Sequence, residues 1–152
     1  VDTKELTNDE LIEYKFNFGY AYFKRKKFDQ AKPLLRSIKD AKHSYSEPAN
    51  YYYGFITFYQ ENYKEAEKSF IKLKDSKRYK EAVPYYLTQL YFLRKDYDLV
   101  ISYASRLLSN PSTDNIIEIA HLVGQAYFEL GDYISNLKRG ATVLSISKID
   151  SF

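Results

Sequence analysis

The chain has 152 residues, 45% hydrophobic and 28% charged, which suits one folded domain and leaves little room for a second. It contains no cysteine, which excludes disulfides, zinc–thiolate sites and cysteine nucleophiles in one step. Its 23 basic and 20 acidic residues are interspersed, so the net charge of +3 argues only weakly for a nucleic-acid partner, and no apolar run is long enough to span a membrane.

No signal peptide is evident. The chain begins at Val1 and has no methionine, which suggests a processed product or an excised fragment. Tyrosine (17) and phenylalanine (10) are heavily used, so the core is expected to rest on aromatic rings, which bury large areas each.

In chain order, Val1 to Leu6 is a short lead-in. Thr7-Asn8-Asp9-Glu10 then has the form of a capping box. Apolar residues Ile12, Phe16, Gly19, Tyr20 and Phe23 recur at helical steps, and Lys24 to Lys27 make a basic tip. A second helix is predicted over Phe28 to Ala41, striped by Ala31, Leu34, Leu35 and Ile38. With Asp29 as its N-cap, Pro33 falls in the first turn, where a missing N–H is tolerated. Ser46-Glu47-Pro48 reads as the next helix start. Asn62 is expected to cap a helix carrying Ala66, Phe70 and Leu73. A third pair starts between Tyr79 and Pro84, with Asp96 capping its second helix, which buries Val100, Ala104, Leu107 and Leu108. Asn110-Pro111-Ser112 breaks the chain. A fourth pair starts near Thr113 or Asp114 and is expected to bury Ile116, Ile119, Ala120, Val123, Tyr127 and Leu130. Its second helix is expected from Asp132 to about Leu144.

One hairpin signature recurs through these elements. An aromatic residue follows each tip at Phe28, Tyr63, Tyr97 and Tyr133, at intervals of 35, 34 and 36 residues. A near-constant period in that range marks stacked helical hairpins, here over residues 9–43, 46–77, 79–110 and 113–145 with a tail at 146–152. The predicted fold is all-α, a single solenoid of about four antiparallel helix pairs. The small residues Gly19, Gly54, Gly124, Ala31 and Ala66 are read as points of close helix crossing.

These copies resemble tetratricopeptide repeats over roughly residues 9 to 145. The resemblance rests on Gly19, Gly54 and Gly124 in the first helix of a pair, on Tyr22, Tyr91 and Tyr127 three places later, and on Ala31 and Ala66 in the second helix. Thr57, Thr88, Val100 and Asn136 depart from the pattern. The usual late alanine is replaced by Ile38, Leu73, Leu107 and Val143, and the closing proline is missing. The resemblance implies a right-handed superhelix whose inner helices line a groove for an extended or helical segment of another protein. The implied groove residues are Glu13, Phe16, Tyr20, Lys24, Tyr51, Phe55, Tyr59, Tyr85, Gln89, His121 and Gln125. A clamp for chaperone tails is not implied, because Phe16, Tyr20, Tyr52, Ala82 and Tyr86 occupy the positions where such members carry lysine, arginine or asparagine. The composition, rich in Lys, Tyr, Phe, Ile and Asn, resembles bacterial cell-envelope members of that family, which points to the periplasm or envelope.

The residues themselves favour an interaction scaffold over an enzyme. His43 and His121 are the only histidines and have no metal-ligand spacing; carboxylates such as Asp9 and Glu10 sit at helix starts, and no phosphate-binding glycine loop is present. No cofactor, metal or catalytic residue is predicted. Two other readings stand beside the protein or peptide partner. Lys24 to Lys27, with Lys72, Lys74, Lys77, Arg78 and Lys80, could contact RNA or another polyanion, although solvated helix ends explain these cations as well. Alternatively, the chain is one segment of a longer repeat array that self-associates through its terminal repeats.

Overall fold

A computed structural model describes residues 2–141, and over these the chain is all-helical, with seven α-helices, two 3-10 turns and no strand. The helices are α1 (Asn8–Lys24), α2 (Phe28–Ile38), α3 (Ser46–Tyr59), α4 (Tyr63–Ile71), α5 (Val83–Leu93), α6 (Tyr97–Ala104) and α7 (Ile116–Ala141). Each packs on its neighbour in sequence, and α1 also meets α3 while α5 meets α7. Helices α1 and α3 thus both pack on α2, and α5 and α7 both pack on α6.

Side-chain caps open two of the helices. The Thr7 N–H donates to Glu10 Oε2 at 2.8 Å and the Glu10 N–H donates to Thr7 Oγ1 at 3.3 Å, the reciprocal capping box that opens α1. Asn62 accepts from the Glu65 N–H to open α4. Two expected caps differ. The α2 cap is Lys27, not Asp29, so Pro33 lies inside the helix instead of its first turn. The carbonyl facing the proline belongs to Asp29; both residues are exposed, so water can meet the orphaned oxygen. Asp96 does stand at the cap of α6, but its carboxylate turns away to Arg94, with Nε at 2.9 Å and Nη2 at 2.8 Å. A bidentate guanidinium competes well with a single backbone N–H. Helices α2 and α4 are also shorter than predicted, so Leu73 is buried in the turn after α4.

The three tips share one backbone motif. Lys26, Glu61 and Lys95 have φ of 58°, 58° and 63°. At each tip the next residue's N–H reaches back to close a six-residue ring: Lys27 to Tyr22 at 2.9 Å, Asn62 to Thr57 at 2.8 Å and Asp96 to Tyr91 at 3.0 Å. This double-bonded helix ending ordinarily carries glycine at the left-handed residue, because a side chain there costs about 1 kcal/mol. Lys26→Gly, Glu61→Gly and Lys95→Gly are each expected to stabilise the fold by up to about 1 kcal/mol, read from the urea midpoint. A loss of stability at all three would contradict the tip geometry.

The buried core forms two clusters. Ala31, Leu35, Ile38, Ala49, Tyr53 and Ile56 join α2 to α3 against rings from α1. The other runs from Ala66 and Phe70 through Leu87, Leu90 and Val100 to Ile119 and Ala126. Gly19 and Gly54 mark close crossings as expected: a Cβ on Gly54 would stand 2.7 Å from Phe70 Cε1, and one on Gly19 2.9 Å from Leu35 Cδ2. The departures Thr57 and Thr88 are fully buried and return their hydroxyls to their own helices, at Tyr53 O (2.9 Å) and Pro84 O (2.7 Å).

The fourth hairpin is the main correction. No tip forms at Gly131 and Asp132; α7 runs through both. Gly131 occupies the register of Lys26, Glu61 and Lys95 yet does not take a positive φ. At the crossing position, Ala31, Ala66 and Val100 are fully buried, whereas the fourth copy has Asn136. Folding back would bury an amide at about 1–3 kcal/mol without a partner, while a glycine inside a helix costs only about 1 kcal/mol. Accordingly Gly124 marks no crossing among the described residues, since a Cβ there would meet none of them within 4 Å, and Tyr127 is 56% exposed. The predicted end near Leu144 and the tail at 146–152 lie outside the described residues.

Candidate functional site

The seam between α1 and α3 carries two clefts, both walled by aromatic rings. Phe16 and Tyr20 lie one turn apart on α1, and Tyr52 and Tyr59 lie seven residues apart on α3, so each pair shares a helix face. Tyr20 meets Tyr52 at 5.0 Å between ring centroids, and Phe23 meets Tyr52 at 4.8 Å. The first cleft, about 490 Å³, is lined by Phe16, Tyr20, Tyr45, Pro48, Tyr52 and Arg78 among others. The second, about 400 Å³, lies further along the seam at the first tip, between Phe23, Lys24, Lys26, Phe28 and Tyr59. There Phe28 and Tyr59 stack at 5.6 Å with an 18° interplanar angle, leaving Tyr59 66% exposed.

The α2–α3 loop holds Tyr45 in place. His43 bridges it: Nε2 lies 2.6 Å from Ile38 O, and Nδ1 accepts from the Tyr45 N–H at 3.1 Å. Ser46 and Asn50 both donate to Lys39 O at 2.7 Å. With both ring nitrogens engaged, His43 organises the loop and lets Tyr45 lean on Phe16 at 4.9 Å.

The predicted groove residues divide. Phe16 and Tyr20 line the first cleft, and Lys24 and Tyr59 the second. Tyr51 and Phe55 are half-buried packing groups, Tyr51 stacked on Tyr79 at 4.5 Å and Phe55 edge-on to Tyr86 at 4.5 Å. Burial and the neighbouring Tyr86 hydroxyl push the Tyr51 hydroxyl well above its ordinary pKa. Tyr85 accepts from Gln89 Nε2 at 2.8 Å on α5. Glu13, His121 and Gln125 are exposed and line neither cleft. Eight lining residues were absent from the predicted set, among them Tyr45, Tyr52, Phe28 and Arg78. The seven-residue step from Tyr52 to Tyr59 was a readable signal for Tyr52. Arg78, in the α4–α5 connection, reaches the cleft only through tertiary folding.

Among the described residues, no three histidine, aspartate or glutamate side chains converge on a possible metal site, and no helix is long and apolar enough to cross a membrane.

Fold and seam together define an all-helical protein of consecutively packed helices with an aromatic-walled face. Residues 9–110 match a family model described as "Uncharacterised Treponema protein", and the chain belongs to that family. The matched stretch opens in the first turn of α1 and closes just after the 3-10 turn that follows α6, leaving α7 outside it. No curated protein and no solved structure matches. This overturns the expected membership of the tetratricopeptide family, for which no match is found. The shared features, small residues at crossings and aromatics after tips, are what any close helical hairpin needs. The family's late alanine and closing proline are the features this chain lacks.

Proposed function

We propose that the protein is a non-catalytic interaction scaffold, a solenoid of stacked helical hairpins that holds a segment of a partner protein along the α1–α3 seam. The observation that carries this reading is the first cleft, where Tyr20 and Tyr52 present ring faces and hydroxyls around an open volume of about 490 Å³. Tyrosine suits such a role, because it offers a large contact area with few torsions to freeze. The preformed helices add little ordering cost on binding. Regular spacing of the left-handed tip residues, 35 and 34 apart, supports a solenoid over the first three hairpins.

Selection from a random peptide-display library tests the reading. Linear peptides are expected to be enriched, and Tyr20→Ala combined with Tyr52→Ala is expected to abolish their binding while the folded circular-dichroism signal persists. No enrichment, or binders indifferent to both changes, would overturn it.

A further inference from the structure

We infer that the seam recognises an extended acidic segment, with carboxylates placed about four residues apart and an aromatic or aliphatic side chain between them. This rests on the scaffold reading and adds the chemistry of the bound segment. Arg78 lines the first cleft and Lys24 and Lys26 line the second, and among the described residues no aspartate or glutamate lines either. Two other clefts mix carboxylates with their cations. One sets Arg36, Lys39, Lys68 and Lys72 among Asp40 and Glu65, and another sets Lys74 and Lys80 beside Glu81.

The seam cations are also unspent. Among the described residues Arg78, Lys24 and Lys26 enter no ion pair, whereas Arg94 at the third tip is held by Glu67 at 2.6 Å and Asp96 at 2.8 Å. The nearby acids Glu13, Asp29, Glu47 and Glu61 are exposed and line neither cleft, and Glu47 accepts from the Ser76 hydroxyl at 2.6 Å. Positive potential thus stands at both ends of a neutral aromatic stretch formed by Tyr20, Phe23 and Tyr52.

The spacing sets the ligand's geometry. From Phe16, which lines the first cleft beside Arg78, to Lys24 in the second is eight helical residues, about 12 Å, so an extended chain of about four residues reaches from one cleft to the other. Carboxylates at the two ends of such a segment would each lie at a cleft that holds a cation, while the residues between them pack on the rings. A nucleic acid would call for cations along the whole track, because each nucleotide brings a phosphate. The middle of this seam has none.

Fluorescence anisotropy with short labelled peptides tests the inference on the whole chain. One peptide carries aspartate at both ends of a phenylalanine-containing core; two others replace the aspartates by asparagine or by lysine; oligouridylate is the polyanion control. The aspartate peptide is expected to bind roughly tenfold tighter than the asparagine peptide, less so at high salt. Arg78→Glu and the pair Lys24→Glu with Lys26→Glu are each expected to remove most of that advantage; all three sites are exposed, so folding persists. Equal binding of the asparagine peptide, or indifference to the reversals, would sink the charge rule. The groove reading would survive that result if Tyr20→Ala with Tyr52→Ala still abolished binding. If no peptide binds, the charge rule also falls, and the display selection alone decides the groove. Tighter binding of oligouridylate, lost on the same reversals, would overturn both.

Discussion

Raising the pH from about 9 to about 12 is expected to unfold the protein cooperatively, and the cause is buried tyrosine. Tyr53, Tyr79 and Tyr91 are 1%, 5% and 5% exposed, and burial pushes all three hydroxyls above their ordinary value near 10. Burial also lifts the half-buried Tyr103 to about 12. The unfolded chain loses these protons from about pH 10 while the folded chain keeps them, so stability is intact below pH 10 and falls above it. Each deeply buried hydroxyl contributes a slope of up to about 1.4 kcal/mol per pH unit, and three together about 4 kcal/mol per unit. A domain stable by about 5–15 kcal/mol does not survive many such units. Tyrosinate absorbance and circular dichroism followed together provide the measurement, and buried tyrosinate is expected to appear only as helix is lost. Tyr79→Phe should flatten the slope by about a third. It also removes a buried hydroxyl that has no hydrogen-bond partner among the described residues, so it is not expected to destabilise the protein at neutral pH. Gradual ionisation with the helices intact would refute the burial.

The second large effect comes from placing one substitution at two glycines. Gly54→Leu is expected to destabilise the fold by about 3 kcal/mol, because its first side-chain carbon already meets Phe70 at 2.7 Å. Phe70 cannot retreat: it is fully buried, edge-on to Phe55 at 5.7 Å and stacked on Tyr86 at 5.7 Å. Gly124→Leu is expected to be neutral or stabilising by up to about 1 kcal/mol, since none of the described residues lies within 4 Å of its Cβ and leucine is the better helix former. Thermal unfolding of the two variants would separate them by roughly 10 °C. Equal losses would mean that Gly124 also sits in a crossing.

These glycines show how far the sequence could be read. The helical period, the Thr7 capping box, the Asn62 cap and the small residues Gly19, Gly54, Ala31 and Ala66 all act within one turn or at one crossing, and they were legible. Gly131 was misleading because a tip signal is a local preference of about 1 kcal/mol, and the fourth copy has Asn136 where the other three bury alanine or valine. Pro33 and Asp96 misled similarly: their energies are settled by solvent at Asp29 and by the competing Arg94. At the seam, Phe16 and Tyr20 could be found by helical spacing. Tyr51 and Phe55 carry the same signal yet pack inward, because the periodicity of one helix does not reveal which side its neighbours take. Arg78 has no local signature at all.

The order in which the helices meet also bears on how the chain reaches this state. Among the described residues every helix packs on the one before it, and the further helix pairs in substantial contact, α1 with α3 and α5 with α7, lie two helices apart. Each docking step therefore closes only a short stretch of chain, for which the entropy lost grows slowly with length. Low contact order of this kind places folding in the microsecond-to-millisecond range. Helix α3 belongs to both core clusters, supplying Tyr53 and Ile56 to one and Tyr51 and Phe55 to the other. It is the natural place for a nucleus from which order spreads in both directions.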